Sequence, residues 1–261
     1  MVLGYDYKTW IMKKIVLFIV LLQIFNSCEK PSDCIESFGE TITKEVPVTA
    51  FTKIKVYRGI EVIITQGAVY KVQIEAGANF IDNITVTQNG NQLIFKDKAS
   101  CNWVRDYGQT KILITTPTLE EIYSKTERNI SSNGVLSFAN LSILSLDKEA
   151  DGESGAGTGD FHLEINSTSL TIGNNNVSRF YLSGQTENAT FNFYFGDGRI
   201  EAENLIAQKI KVYHRGSNDM IVYPVQSITG VLNSTGNVVL KNVPPIVTPL
   251  DVLFTGHVVY P

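Results

Sequence analysis

From about residue 119 onward the chain repeats itself, with a turn followed by an alternating strand recurring about every twenty residues. Six segments align on this pattern: Ser131–Phe138, Gly157–Glu164, Asn176–Ser183, Gly196–Glu203, Gly216–Tyr223 and Ser234–Lys241, with a longer gap between the first two. Their fifth positions are Val135, Phe161, Phe180, Ile200, Met220 and Val238, and their seventh are Ser137, Leu163, Leu182, Ala202, Val222 and Leu240. Such a column of alternate, mostly apolar residues is the inward face of a strand. The eighth positions, Phe138, Glu164, Ser183, Glu203, Tyr223 and Lys241, then face solvent. One repeat cannot bury its apolar face alone, whereas stacked repeats build a continuous interior. The expected fold is therefore all-β, a β-solenoid with about twenty residues per rung. Asn140, Asn166, Asn204 and Asn242 recur past the turn and predict a corner of left-handed backbone.

The region before the repeat also reads as strand. Phe51–Val56, Glu61–Thr65, Tyr70–Glu75, Ile84–Thr87, Gln92–Phe95 and Lys111–Thr115 are β-branched or aromatic runs bounded by Gly, Asn or Pro. Residues 38–118 accordingly form an N-terminal β region carrying the first rungs, and 119–243 form the repeat solenoid. The long gap holds the acidic, glycine-rich stretch from Asp147 to Gly159, which reads as a surface insertion on one rung. Residues 244–261 depart from the pattern and are expected to cap the last rung against edge-to-edge pairing.

The start of the chain bears on location. Lys13-Lys14 precede the apolar run Ile15–Leu22, and Ser27-Cys28 follow closely, the pattern of a secretory signal peptide over residues 1–27. Met12 is the better start, which makes 1–11 an extension. Cys28 after a small residue resembles the bacterial lipobox, in which the cysteine is lipidated and becomes the first residue of the mature chain. The alternative is a plain signal peptide that leaves Cys28 in the mature protein. Residues 28–37 are then a polar tether, and the lipid attaches the protein to a membrane. Cys34 and Cys101 form a disulfide or remain two free thiols, and an oxidising compartment favours the bond. A net charge of -4 supplies no basic surplus for nucleic acid. The three histidines have no zinc-ligand spacing to cysteine or to each other, so no metal and no cofactor is expected.

The fourth position of the repeat carries the best polar constellation: Gly134, Asp160, Arg179, Arg199, Asp219 and Asn237. At the inter-strand spacing of about 4.8 Å, Asp160 would pair with Arg179 and Arg199 with Asp219. One reading is a stripe that binds an extended glycan, with Tyr181 and His162 alongside for stacking. The other is a salt-bridge ladder that fixes register, since exposed ion pairs are common and individually weak. An enzyme of the polysaccharide lyase type would need a base such as Arg199 and carboxylates for calcium, for which Asp160, Asp197 and Asp219 are the available types. The acidic insertion matches no calcium-loop spacing. Trp103, Tyr107, Tyr123, Tyr194 and Tyr213 are either groove aromatics or partly buried side chains. No nucleophile elbow, zinc-protease or phosphate-loop motif occurs.

Phe51–Gly67, then Asn89–Phe95, then Leu119–Ile122 opening Asn/Gly-rich rungs, together resemble the putative auto-transporter adhesin, head GIN domain family over roughly residues 46–250. That resemblance implies a right-handed, single-stranded β-helix-like fold and a cell-envelope location, as an outer-membrane lipoprotein facing the periplasm or the outside. It also suggests adhesion to a glycan or to an envelope or host protein. It carries over no catalytic or ligand residue.

Overall fold

The computed structural model describes residues 10, 12–14, 38–98, 110–147, 157–247 and 250–261. Cys28, Cys34 and Cys101, most of the signal segment, Trp103, Tyr107 and the acidic residues Glu149, Asp151 and Glu153 lie outside them. Among the described residues no helix is long and apolar enough to cross a membrane.

The body from Phe38 onward is all-β. Its strands are β1 (Thr41–Val46), β2 (Lys53–Tyr57), β3 (Glu61–Gln66), β4 (Lys71–Gly77), β5 (Ile84–Asn89), β6 (Gln92–Asp97), β7 (Lys111–Thr116), β8 (Glu121–Lys125) and β9 (Ile130–Leu136). They continue as β10 (Asn140–Ser145), β11 (Phe161–Asn174), β12 (Arg179–Phe193), β13 (Arg199–His214), β14 (Met220–Leu232), β15 (Val238–Leu240), β16 (Ile246–Val247), β17 (Asp251–Val252) and β18 (Val258–Val259). All belong to one hydrogen-bonded sheet that curls into a nearly closed, barrel-like form. β1–β4, β4–β7 and β5–β6 pair antiparallel, all in the N-terminal part, and the remaining pairings are parallel.

Parallel register lines up like with like. One inward column runs Ile112, Val62, Ile130, Phe161, Phe180, Ile200, Met220 and Val238, each directly opposite the next. A second runs Leu93, Ile54, Ile122, Ile143, Ile172, Phe191 and Val212. Every member of both columns is buried in a single core. Burying each such side chain contributes roughly 1.5–3 kcal/mol, so the columns are the main source of cohesion. They cross residue 119 without interruption. The first also continues past residue 244, where Val258 sits opposite Val238.

The first repeat is set differently from its sequence alignment. Phe161 lies opposite Ile130, not Val135, so Asn129 rather than Gly134 occupies the fourth-position column. Val135 is 44% exposed and Phe138 only 2%, the reverse of the expected orientation. The cause is a bulge in β9, where the register against β11 slips between His162 and Glu164 and Gly134 adopts a φ of 84°. The asparagine corner also differs, because among the described residues only glycines have positive φ. Gly184, at φ 100°, takes the tight position, and a Cβ there would meet the Ile165 carbonyl oxygen. Asn166 and Asn242 instead use their side chains as bridges to the neighbouring segment, to Gln185 at 3.2 Å and to the Pro224 carbonyl at 2.7 Å.

Candidate functional site

The fourth-position column is a ladder of side-chain acceptors. The Asp160 carboxylate accepts the Arg179 backbone N–H at 3.0 Å, Asp219 accepts the Asn237 N–H at 3.0 Å, and the Asn237 amide oxygen accepts the His257 N–H at 3.0 Å. Each side chain thus satisfies an N–H at the head of the neighbouring strand, as an N-cap does for a helix. Arg199 donates from Nη1 to Asp219 at 3.2 Å and to the Asn218 side-chain oxygen at 2.9 Å, and from Nε to Glu201 at 2.6 Å. Asp160 and Arg179 form no ion pair among the described residues: the Asp160 carboxylate is turned onto the backbone instead, which leaves the exposed Arg179 guanidinium outside the ladder.

Charge follows this geometry. Burial pushes the Asp219 carboxyl up, but hydrogen bonds from Asn237 and Arg199 outweigh it and hold the group below the ordinary aspartate value. Burial pulls Arg199 down, and Glu201 and Asp219 outweigh it, leaving the guanidinium more firmly protonated. A firmly protonated arginine beside the firmly ionised Asp219 is the opposite of what a base for lyase chemistry requires. Asp197 is likewise engaged, by Ser217 at 2.6 Å and Asn218 at 3.3 Å, and no cluster of three or more metal-ligating side chains occurs among the described residues. Asp219→Ala is expected to destabilise the protein by about 1–2 kcal/mol, because it strands the Asn237 N–H and one arm of Arg199. Asp219→Asn, which keeps an acceptor, should recover at least half of that loss in urea denaturation.

His162 and Tyr181 lie beside this ladder at directly opposed positions on β11 and β12. Their rings stack with centroids 4.6 Å apart and an angle of 5° between planes, on the outer face of the sheet. Around them is a concavity of about 460 Å³, lined by Ser132, Glu164, Ser183, Glu201, Glu203 and Asn204 together with the two rings. Two bulges build it. β9 carries extra residues against β11 between His162 and Glu164. β13 carries one against β12, where Tyr181 faces Glu201 but Ser183 faces Asn204, and three more against β14. The regular β11–β12 pair is the floor and the swollen strands on either side are the walls. Wall to wall is three strand steps, about 14 Å. The Ser132 hydroxyl accepts the Glu164 N–H at 2.9 Å, satisfying a donor exposed by the break in the ladder.

Reading the residues in columns gathers His162 with Tyr181 and places Glu164, Ser183 and Glu203 on the solvent side, but it misses the bulges that turn these residues into one concavity. The available signal was the change of offset from 20 to 21 residues between Tyr181–Glu201 and Ser183–Asn204. Other candidate aromatics go elsewhere: the Tyr123 hydroxyl donates to the Leu146 carbonyl at 2.7 Å, and Tyr194 and Tyr213 meet at 6.0 Å away from the groove. In the glycine run before β11, the Gly157 carbonyl accepts the Ser178 hydroxyl at 2.6 Å, and a Cβ on Gly159 would collide with the Arg128 backbone. These glycines serve close packing.

One buried group escapes sequence reasoning altogether. His214 is fully buried in an inward column between Phe193 and Leu232. Its Nδ1 accepts the Gly216 N–H at 3.3 Å, which fixes a neutral ring protonated at Nε2, and Nε2 has no hydrogen-bond partner among the described residues. Burial pushes its pKa down to about 4, against smaller upward effects of the Asn218 backbone and Asp219.

The all-β chain thus carries a polar side-chain ladder and, beside it, a groove floored by two stacked aromatic rings. The chain is a member of the family described as putative auto-transporter adhesin, head GIN domain, whose model matches residues 50–244. Among solved structures, a putative adhesin from Bacteroides fragilis is 25% identical and superposes with a TM-score of 0.74, covering 85% of this chain and 97% of that one. A putative lipid binding protein from Parabacteroides distasonis, 15% identical, matches with a TM-score of 0.60 over 85% of this chain and 97% of its own. A putative adhesin from Parabacteroides merdae, 16% identical, matches at 0.55 over 85% and 96%. The latter two show the shared fold. No curated protein matches the chain.

Proposed function

We propose that this protein is a non-enzymatic adhesin of the bacterial cell envelope that holds a saccharide in the groove over β11 and β12. The observation that carries the reading is the exposed His162–Tyr181 stack on a rigid floor, walled by side chains rich in hydrogen-bond acceptors. Aromatic faces beside carboxylates and amides are the combination a sugar ring requires, with C–H faces to stack and hydroxyls to donate. The column of Asp160, Arg199 and Asp219, with the Arg179 backbone N–H, takes the supporting role. It fixes the rungs in register, and through Arg199 it holds Glu201 in the groove wall.

The body is a stacked coil of about twenty residues per rung, a reading supported by register offsets of seventeen to twenty-one residues between β12, β13, β14, β15 and β18. Cleavage after Ser27 and lipid on Cys28 tether it to the outer membrane through residues 28–37, with Cys34 and Cys101 bonded. The family's adhesin description and the adhesin named among its structural neighbours support an envelope location.

A glycan array probed with the fluorescently labelled protein tests the reading. Wild type is expected to bind at least one saccharide group, and Tyr181→Ala to weaken that binding at least tenfold with an unchanged melting temperature. Equal binding by the two proteins would place the site elsewhere.

A further inference from the structure

The charge of the groove specifies which saccharides it accepts, an inference that rests on the groove reading above. Three carboxylates line it, from Glu164, Glu201 and Glu203, and no lysine or arginine side chain does. Glu201 is neutralised from behind by Arg199 at 2.6 Å, and Glu203 meets Lys241 at 3.5 Å, a pair in which both side chains are about half exposed and therefore weakly coupled. Glu164 has no ion-pair partner among the described residues, and its backbone N–H donates to the Ser132 hydroxyl. A uronate or sulfate entering here would be brought against like charge with no guanidinium or ammonium to receive it. A neutral sugar meets no such opposition: its hydroxyls donate to the carboxylates, which accept only, and to the Asn204 side-chain oxygen, while a C–H face lies against Tyr181.

We infer that the groove between the bulges of β9 and β13 selects neutral saccharides and rejects polyanionic ones, with Glu164 and Glu203 as the specificity-determining residues. Both carboxylates sit on exposed positions, so changing them leaves the inward columns intact.

Affinity electrophoresis of the full chain in gels containing dextran, mannan or xyloglucan on one side, and polygalacturonate or heparin on the other, tests this. Wild type is expected to be retarded by at least one neutral polymer and by neither polyanion. The Glu164→Lys, Glu203→Lys double variant, with an unchanged melting temperature, is expected to become retarded at least threefold more by polyanions at low salt and to lose the gain in 0.5 M salt, since screening shortens to a few ångströms at high ionic strength. Retardation of wild type by a polyanion and lost in Tyr181→Ala would overturn the charge selectivity while leaving the groove as the binding site. A double variant with no gain for polyanions would also overturn the selectivity. Retardation by no polymer of either kind would overturn both the selectivity and the saccharide reading.

Discussion

Phe180→Ala should lower the free energy of unfolding by about 4 kcal/mol, within the range for emptying a phenylalanine site in a packed core. Phe180 is fully buried, stacked on Phe161 at 4.7 Å with the planes 5° apart, and tilted against Phe193 at 5.8 Å. Phe161 lies opposite on β11 and Phe193 at the far end of β12 itself, so the vacancy would disrupt contacts between neighbouring strands as well as within one. The neighbouring side chain faces the opposite way, and Tyr181→Ala should cost less than about 1 kcal/mol. Urea denaturation of the two variants checks both values. Equal losses would mean that the alternation of inward and outward positions on β12 is wrong.

The second large effect is a dependence of stability on pH. His214 has a native pKa of about 4, well below the ordinary histidine value of 6.5, so between these limits the unfolded chain binds a proton that the native state refuses. Its contribution is fully present above pH 6.5 and is lost as the pH falls toward 4, to a total of about 3 kcal/mol. Asp219, held below the usual aspartate value of 3.8, adds a further loss only in more acid solution. Chemical denaturation at pH 7.0 and 4.5 should therefore differ by 2–3 kcal/mol in wild type. In His214→Leu, which places in the column the residue type found opposite at Leu232, the difference should shrink to below about 1 kcal/mol. A wild-type profile flat over this range would show that His214 is hydrated or paired in the native state.

The all-β class and much of the strand register were legible because parallel pairing writes its register into the sequence. Phe161, Phe180, Ile200, Met220 and Val238 align by eye and lie opposite one another in space. The misreading of Val135 has a physical cause, since a bulge adds residues to one strand without changing its composition. Ser132-Asn133-Gly134 looks like a turn in sequence and is a swelling within β9. The asparagine corner failed for a related reason: a side-chain amide bridging two rungs and a left-handed backbone both favour asparagine, and only the structure separates them.

The candidate site was half legible. His162 and Tyr181 share a column, so their stacking follows from register alone. The Arg199–Asp219 contact follows likewise, whereas Asp160 and Arg179 share a column without pairing, because the carboxylate finds a closer donor in the backbone. The concavity depends on residues from β9 and β13, strands whose irregularities show in sequence only as changes of one to three residues in spacing. His214 was invisible for a different reason. A histidine in an inward column resembles any other polar residue in sequence until the packing around it is known.

The groove is tested most directly by the ring resonances of the three histidines, His162, His214 and His257, followed by NMR while a saccharide identified on the array is added. One of them lies in the groove, one in the core and one at the end of the ladder. Saturable movement of the His162 ring signals, with those of His214 and His257 unchanged, is the predicted result. Binding that leaves His162 still, or that moves His257 instead, would contradict the assignment of the groove as the saccharide site.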